Sequence, residues 1–355
     1  MIKNIVISGY YGFDNFGDEA VLRTLINEIR NNTPDAGITV ITSNPTKTAK
    51  VYNVNTVYTY DLTAIFKVIW KADLFISGGG SVLQDVTSLK SLFYYLFLIF
   101  IAEFLDKKVA IIAQGIGPIN TFIGRIFTKN TLKKVHLITV RDKKSYKLLD
   151  EWGIKSYLTA DLIWILGYKA YDRKEKVKLS VGVQLRHWKK MDDKKIKSLI
   201  KSLKTSFDLA ETEFNVIALQ PKEDLEICKK FHAAFKKESP DVNINLICLN
   251  DIDENINEIR NLDYLIAMRF HAGLIAIREK IPALMLSYDP KVENLCTDAN
   301  VSYINIDQIN EDILCREIKN LQQNSFILKE EMGKFSYKIA AISRQNIDLL
   351  STILK

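Results

Sequence analysis

The sequence, 355 residues long, predicts an α/β protein built from two Rossmann-like domains facing a cleft. Three observations predict it. Short apolar runs of strand length alternate with longer amphipathic stretches, the rhythm of βαβ units and of parallel, doubly wound sheets. The length exceeds what one domain usually holds, so two are expected. The rhythm breaks once, at the polar, lysine-rich stretch Lys169–Lys178, and then resumes. The predicted domains are residues 1–170 and 178–330, followed by a C-terminal helix at 331–355. Two such halves about a cleft form the layout of a GT-B-like fold.

In the first half the strand candidates are Asn4–Ser8, Gly37–Thr42, Leu74–Ser77, Val109–Ala113, Leu137–Val140 and Ser156–Leu158. Continuous apolar runs of this length suit strands buried on both faces. Helical spacing fills the gaps at Glu19–Asn31, Leu62–Trp70, Leu89–Leu105, Arg125–Lys133 and Lys143–Trp152. In the second half the strands are Leu179–Gln184, Glu213–Leu219, Asn245–Leu249, Tyr264–Ala267 and Ala283–Ser287. Its helices are Lys194–Leu209, Asp224–Lys237, Ile252–Arg260 and Ala272–Arg278, and Glu311–Lys355 reads as mostly helical. The run Leu92–Ala102 is nearly all apolar. It is shorter than the roughly 20 residues a bilayer span needs. It reads either as a buried helix or as one dipping into a membrane face.

Composition narrows the partners. An apolar fraction of 47% supplies sizeable cores. The net charge of +7 favours anions such as acidic lipid or phosphorylated substrate. The cations are scattered pairs without interleaved aromatics, so no nucleic-acid partner is expected. The four cysteines, at 228, 248, 296 and 315, have no metal-type spacing, and the N-terminus does not read as a signal peptide. A cytoplasmic protein with no metal and no organic cofactor is expected.

The chemistry-bearing residues fall at strand ends, where open α/β sheets bind ligands. Met268-Arg269-Phe270-His271 follows the strand Tyr264–Ala267. Arg269 offers a planar fork for carboxylate or phosphate, and His271 can move a proton near neutral pH. The plainer alternative is a core ion pair and a satisfied histidine. The loop Ser8–Glu19 is glycine-rich and runs into a helix expected to begin near Asp18. Its spacing is not that of a nicotinamide site. Asp18 is a candidate sugar contact or alternatively the N-cap, and Asn15 is a candidate substrate contact. Gly78-Gly79-Gly80 can aim several backbone N–H groups at one anion, or can simply make a tight turn. Gln114 stands at the next strand end. Arg141 is a second candidate anion holder, unless it pairs with Asp142 or a helix carboxylate. In Ser287–Asn294, Lys291 could neutralise phosphate and Glu293 could contact a sugar, or the segment is a turn with exposed charges. His187, after the strand ending at Gln184, carries little weight.

Taken in order, GYYGFDNFGDEA, SGGGSVLQD, QGIGP, VRD, MRFHA and SYDPKV resemble the polysaccharide pyruvyl transferase family, most closely its CsaB branch. The resemblance runs from residue 1 to about residue 300. It implies a GT-B-like fold and ketal transfer from phosphoenolpyruvate to a sugar, without a cofactor. The CsaB branch implies as acceptor the N-acetylmannosamine of a lipid-linked secondary cell-wall polysaccharide that anchors surface-layer proteins. The family's catalytic histidine falls on His271 and its phosphoenolpyruvate-binding arginines on Arg141 and Arg269. Peripheral contact with the inner face of the cell membrane would fit a lipid-linked acceptor. A metal-independent GT-B glycosyltransferase using a nucleotide sugar, and a non-catalytic glycan- or membrane-binding protein, are the alternatives.

Overall fold

The computed structural model describes residues 2–86, 88–167 and 176–354. The chain divides into two compact units, Met1–Gly167 with Ile339–Lys355, and Tyr168–Lys338. The expected lysine-rich junction at 169–178 lies mostly outside the described residues.

The first unit alternates β1 (Asn4–Ser8), α1 (Phe16–Asn32), β2 (Gly37–Thr42), α2 (Pro45–Tyr52), β3 (Asn55–Tyr58), α3 (Leu62–Lys71), β4 (Leu74–Gly78) and α4 (Leu89–Phe104). It continues with β5 (Lys108–Gln114), α5 (Phe122–Leu132), β6 (Leu137–Val140), α6 (Lys143–Glu151) and β7 (Tyr157–Leu158). All seven strands are parallel, in the order β3-β2-β1-β4-β5-β6-β7. The second unit runs β8 (Leu179–Gln184), α7 (Asp193–Ser206), β9 (Thr212–Ile217), α8 (Pro221–Glu238), β10 (Asn243–Ile247) and α9 (Ile252–Arg260). Then come β11 (Tyr264–Ala267), α10 (Phe270–Arg278), β12 (Ala283–Ser287), α11 (Pro290–Ala299), β13 (Tyr303–Asn305) and α12 (Glu311–Gln323). Its six strands are parallel, in the order β10-β9-β8-β11-β12-β13. Each sheet therefore winds outward one way from its first strand and then the other way. The switch points lie between β1 and β4 and between β8 and β11, where such sheets offer a crevice at the strands' carboxyl ends.

The elements the sequence did not predict are short or polar. α2 buries only Thr48 and Tyr52, and is fixed by Asn44 as N-cap and Pro45 in its first turn. β3 and β13 are brief strands at or near sheet edges. The segment expected as a possible charged turn after Ser287 is instead the start of α11. Asp289 caps it, accepting from the Lys291 N–H at 2.9 Å, and Pro290 opens it.

Leu92–Ala102 lies inside α4. Leu92, Leu96, Leu98, Ile99 and Ala102 are packed into the core between helix and sheet, while Phe97 and Phe100 face outward. The separate C-terminal helix expected at 331–355 is the end of a longer one, α13 (Ser325–Leu354), whose residues from Ile339 onward belong to the first unit. Buried Asn346 fixes that end. Its Oδ1 accepts from the hydroxyls of Thr139 (2.5 Å) and Thr159 (2.8 Å), and its amide donates to the Ala160 carbonyl at 2.9 Å. The Ser343 hydroxyl donates to the Asp161 carbonyl at 2.8 Å.

Candidate active site

In the first unit the loops after β1 and β4 border the switch point. Asn15, not Asp18, is the N-cap of α1, its side chain accepting from the Gly17 N–H at 3.1 Å. The helix starts earlier than expected because Phe16 and Gly17 are buried and can join it. Asp18 then lies in the first turn, where the helix dipole favours a carboxylate. It meets the triple-glycine loop: a Cβ on Gly80 would stand 2.7 Å from Asp18 Oδ1, and one on Gly79 would stand 2.1 Å from Val21 Cγ1. Both glycines have positive φ, +53° at Gly79 and +70° at Gly80. The absence of side chains is thus demanded by close packing on α1 and by left-handed backbone. The Gly79 N–H is spent on the Ile112 carbonyl at 2.8 Å, so it is not offered to an anion. The Gly78 carbonyl accepts from the Tyr11 hydroxyl at 2.7 Å. Burial, with Asp18 and Glu19 nearby, keeps that phenol well above its ordinary pKa, so it stays a donor.

Gln114 is fully buried, its amide nitrogen directed at Ser77 Oγ and the Gly79 carbonyl, both at 3.3 Å. Its Oε1 has no hydrogen-bond partner among the described residues. Arg141 is also buried. Its guanidinium pairs with Asp161, and Nη2 donates to Ser81 Oγ at 2.8 Å, while Asp142 caps α6. A Cβ on Gly115 would come within 2.5 Å of Ser81 Oγ and 3.3 Å of Arg141 Nε. Ser81, Gly115, Arg141 and Asp161 therefore form one tight cluster, and the sequence reading did not single out Asp161 or Ser81.

The second unit builds its cluster at the other switch point. Arg269 is the residue before α10, and His271 lies in that helix's first turn with its ring edge-on to Phe270, 5.1 Å between centroids. Arg269 is gripped by Asp224, itself fully buried. Nε donates to Oδ2 at 2.7 Å and Nη2 to Oδ1 at 2.5 Å, and Nη2 also reaches Glu223 Oε2 at 3.1 Å. Burial works against the charge, but the Asp224 carboxylate more than offsets it, and the Arg269 pKa rises above its ordinary value.

Arg186, unremarked beside His187 in the sequence, is the residue the structure adds. It follows the end of β8 by two positions, just as Arg269 follows the end of neighbouring β11. Its Nη2 donates to the same Glu223 oxygen at 2.9 Å and its Nη1 to the Tyr288 hydroxyl at 2.7 Å. The guanidinium lies over the Tyr288 ring, 4.8 Å from its centroid, and near that of Trp188. Arg186 Nε is buried without a partner among the described residues. His187 is exposed. Lys291 and Glu293 both belong to α11. The Lys291 ammonium lies 3.5 Å from Asp289. Glu293 Oε1 is occupied in bracing, accepting from Ser287 Oγ and Asn305 Nδ2, each at 3.1 Å. Among the described residues no group of His, Cys, Asp or Glu is placed to hold a metal ion.

Solved structures share this fold. A UDP-GlcNAc 2-epimerase from Neisseria meningitidis bound to UDP-GlcNAc aligns with TM-score 0.67 at 11% identity, covering 99% of this chain and all of its own. The Anabaena protein HepE, in complex with UDP and glucose, gives 0.63 at 12% identity with the same coverage. The MnaA–UDP structure from S. aureus gives 0.66 at 14% identity, covering 95% of this chain and 94% of its own. At such identities the likeness concerns the fold alone, and it is the GT-B-like pair of parallel-sheet domains. No curated protein sequence matches the chain significantly. The family model for polysaccharide pyruvyl transferase matches residues 15–290. That span starts at the N-cap of α1 and ends at the first residue of α11, taking in the strand-end clusters of both units. The chain is a transferase that belongs to the polysaccharide pyruvyl transferase family.

Proposed function

We propose that the protein transfers pyruvate as a ketal from phosphoenolpyruvate to the terminal β-N-acetylmannosamine of a lipid-linked secondary cell-wall polysaccharide precursor. The product is a 4,6-ketal, and inorganic phosphate is released. The observation that carries this reading is the turn Met268–His271. There a buried, carboxylate-fixed arginine is followed two residues later by a histidine in the first turn of a helix.

The donor carries a carboxylate and a phosphate. Arg269 spends Nε and Nη2 on Asp224, so its Nη1 edge is what it offers to one of those anions. Arg186 and Lys291 supply further positive charge beside Arg269 in the second unit, and Arg141 is the anion holder of the first unit. His271 as imidazolium gives a proton to the methylene carbon of the enol. The resulting oxocarbenium carbon is attacked by one sugar hydroxyl, the neighbouring hydroxyl closes the ring, and phosphate departs. Asp18 orients or deprotonates a hydroxyl of the acceptor. Asn15, Gln114, Gly78–Gly80 and Glu293 shape the surrounding pockets rather than react. The chemistry calls on no metal and no organic cofactor.

The UDP complexes among the structural neighbours favour one second reading, glycosyl transfer from a nucleotide sugar. Incubation with phosphoenolpyruvate and a β-linked N-acetylmannosaminyl lipid mimic, followed by mass spectrometry, separates the two. The expected product has gained a pyruvate ketal, with stoichiometric phosphate release. Turnover with a UDP-sugar and none with phosphoenolpyruvate would overturn the proposal.

A further inference from the structure

The outer surface of α4 and α5 is chemically unlike an ordinary solvated helical layer. α4 buries Leu92, Leu96 and Ile99 against the sheet, yet its opposite stripe, where charges normally sit, is Phe97, Phe100 and Phe104, the last 74% exposed. On α5, Phe122 is 76% exposed, and Ile123 and Phe127 are each 55% exposed. The two helices pack together, with Phe93 edge-on to Phe127 at 5.4 Å between centroids, so the aromatic groups form one patch. α3 packs on the other side of α4 and adds Trp70, 62% exposed. Single exposed apolar residues are ordinary, but a continuous patch marks an interaction site.

The charge pattern identifies the occupant. α3, α4 and α5 carry Lys67, Lys71, Lys90, Arg125 and Lys129 against a single acid, Glu103. Burial pushes the Glu103 carboxyl up to about 7, weakening even that negative charge at neutral pH. Nor does any acidic residue occur between Asp106 and Asp142. A second copy docked about a two-fold axis would set the same cations against each other. An anionic bilayer accepts both features: aromatic side chains enter the headgroup boundary while the surrounding cations meet acidic lipid.

We infer that the α4–α5 face, flanked by α3, docks the protein onto an anionic membrane surface without spanning it. No helix among the described residues is long and apolar enough to cross a bilayer. The face adjoins the first unit's strand-end cluster. Asp85, seven residues after β4, takes the Asn120 N–H at 2.8 Å and the Thr121 N–H and hydroxyl at 2.7 Å, fixing the start of α5 that bears Phe122. Docking does not depend on the donor or acceptor proposed above, although it would bring a lipid-linked acceptor within reach.

The test is flotation of the full-length protein with vesicles of phosphatidylcholine alone or mixed with phosphatidylglycerol. Binding is expected to the mixed vesicles at low salt, reduced but not lost at high salt. Phe122→Ser combined with Phe127→Ser should lower the partition coefficient about tenfold or more. Phe100→Ser combined with Phe104→Ser should do the same, and provides an independent pair should the first misfold. Arg125→Glu with Lys129→Glu should remove only the gain due to acidic lipid. Turnover on a lipid-free acceptor should be unchanged in all three variants, so loss of docking is distinguishable from loss of chemistry. The inference is overturned if the wild type fails to float with acidic vesicles at low salt, or if both serine pairs float as the wild type does. It is equally overturned if light scattering shows that the wild type is a dimer which these substitutions dissociate, since the face would then be a contact between copies.

Discussion

An arginine clamped by a buried carboxylate is a rigid donor, and rigidity is what an anion site needs. Asp224 holds Arg269 while also accepting from the Gln220 N–H and the Gln184 amide, so removing it leaves a largely buried guanidinium with only the partly exposed Glu223 as counter-charge. Asp224→Ala should cost about 3–5 kcal/mol of stability, read from chemical denaturation. Arg269→Lys keeps the charge but loses the two-point grip on Asp224, and should raise the phosphoenolpyruvate KM. An unchanged KM with normal stability would argue against the anion-holding role. His271→Ala should lower turnover by roughly 10²–10⁴, the usual cost of losing a general acid, while circular dichroism stays that of the wild type. Near-normal turnover would remove His271 from the reaction. The candidates Arg269 and His271 were legible in sequence because their residue types are conspicuous at a strand end. Asp224, Glu223 and Arg186 were not. Their roles arise from adjacency of β8, β11 and the start of α8, which no local pattern records. The one available signal was parity, since Arg186 and Arg269 each stand two residues past a strand.

At the scale of elements, α4 buries Leu92, Leu96 and Ile99 on one side and leaves Phe97, Phe100 and Phe104 exposed on the other. Composition left the run Leu92–Ala102 open between core and membrane face, and the sheet shows which of its side chains are buried. One consequence is electrostatic. The Glu103 carboxyl, raised chiefly by burial against the pull of Lys134, binds its proton more tightly in the folded chain than in the unfolded one. The stability this contributes is complete below about pH 4.5, the group's ordinary value, and is lost as pH rises through about 7. Glu103→Gln should therefore leave Tm unchanged near pH 4.5 and raise it at pH 8. An equal shift at both pH values would refute the burial of this carboxyl. α13 yields the second element-scale prediction. Asn346→Leu removes the acceptor of the Thr139 hydroxyl, which keeps only its bond from the Ala113 N–H, and the side-chain donor to the Ala160 carbonyl, while the Thr159 hydroxyl falls back on the Val140 carbonyl. The cost is about 1–3 kcal/mol for each group left unsatisfied. Because Ser343 and Asn346 also hold the backbone beside Asp161, the partner of Arg141, a rise in phosphoenolpyruvate KM should accompany the loss of stability. Strands and helices with strong period were read to within a few residues. The misses, α2 and α11 among them, are held by caps and prolines around few buried residues, a signal weaker than their neighbours'.

At the scale of the molecule, the division into two units was legible in the rhythm of the chain, but the assignment of its last residues was not. Helical spacing at 325–354 says nothing about where the helix ends up. Asn346 and Ser343, polar residues in an otherwise ordinary helix, show their purpose only once β6 and β7 are in place. Removing residues 339–355 should therefore collapse amide exchange protection at Ala113 and Thr159 in the first unit while strands of the second unit keep theirs. Uniform loss across both would show that the units do not fold separately. The same feature bears on the order of birth. Domains usually complete themselves in the order in which they leave the ribosome. Here the unit that is synthesised first must wait for residues made after the second unit, because the ends of β6 and β7 find Asn346 only after the whole second unit has emerged. A nascent chain arrested before residue 339 should expose β6 to limited proteolysis while its later-made half is already resistant, so that the amino-terminal unit matures second.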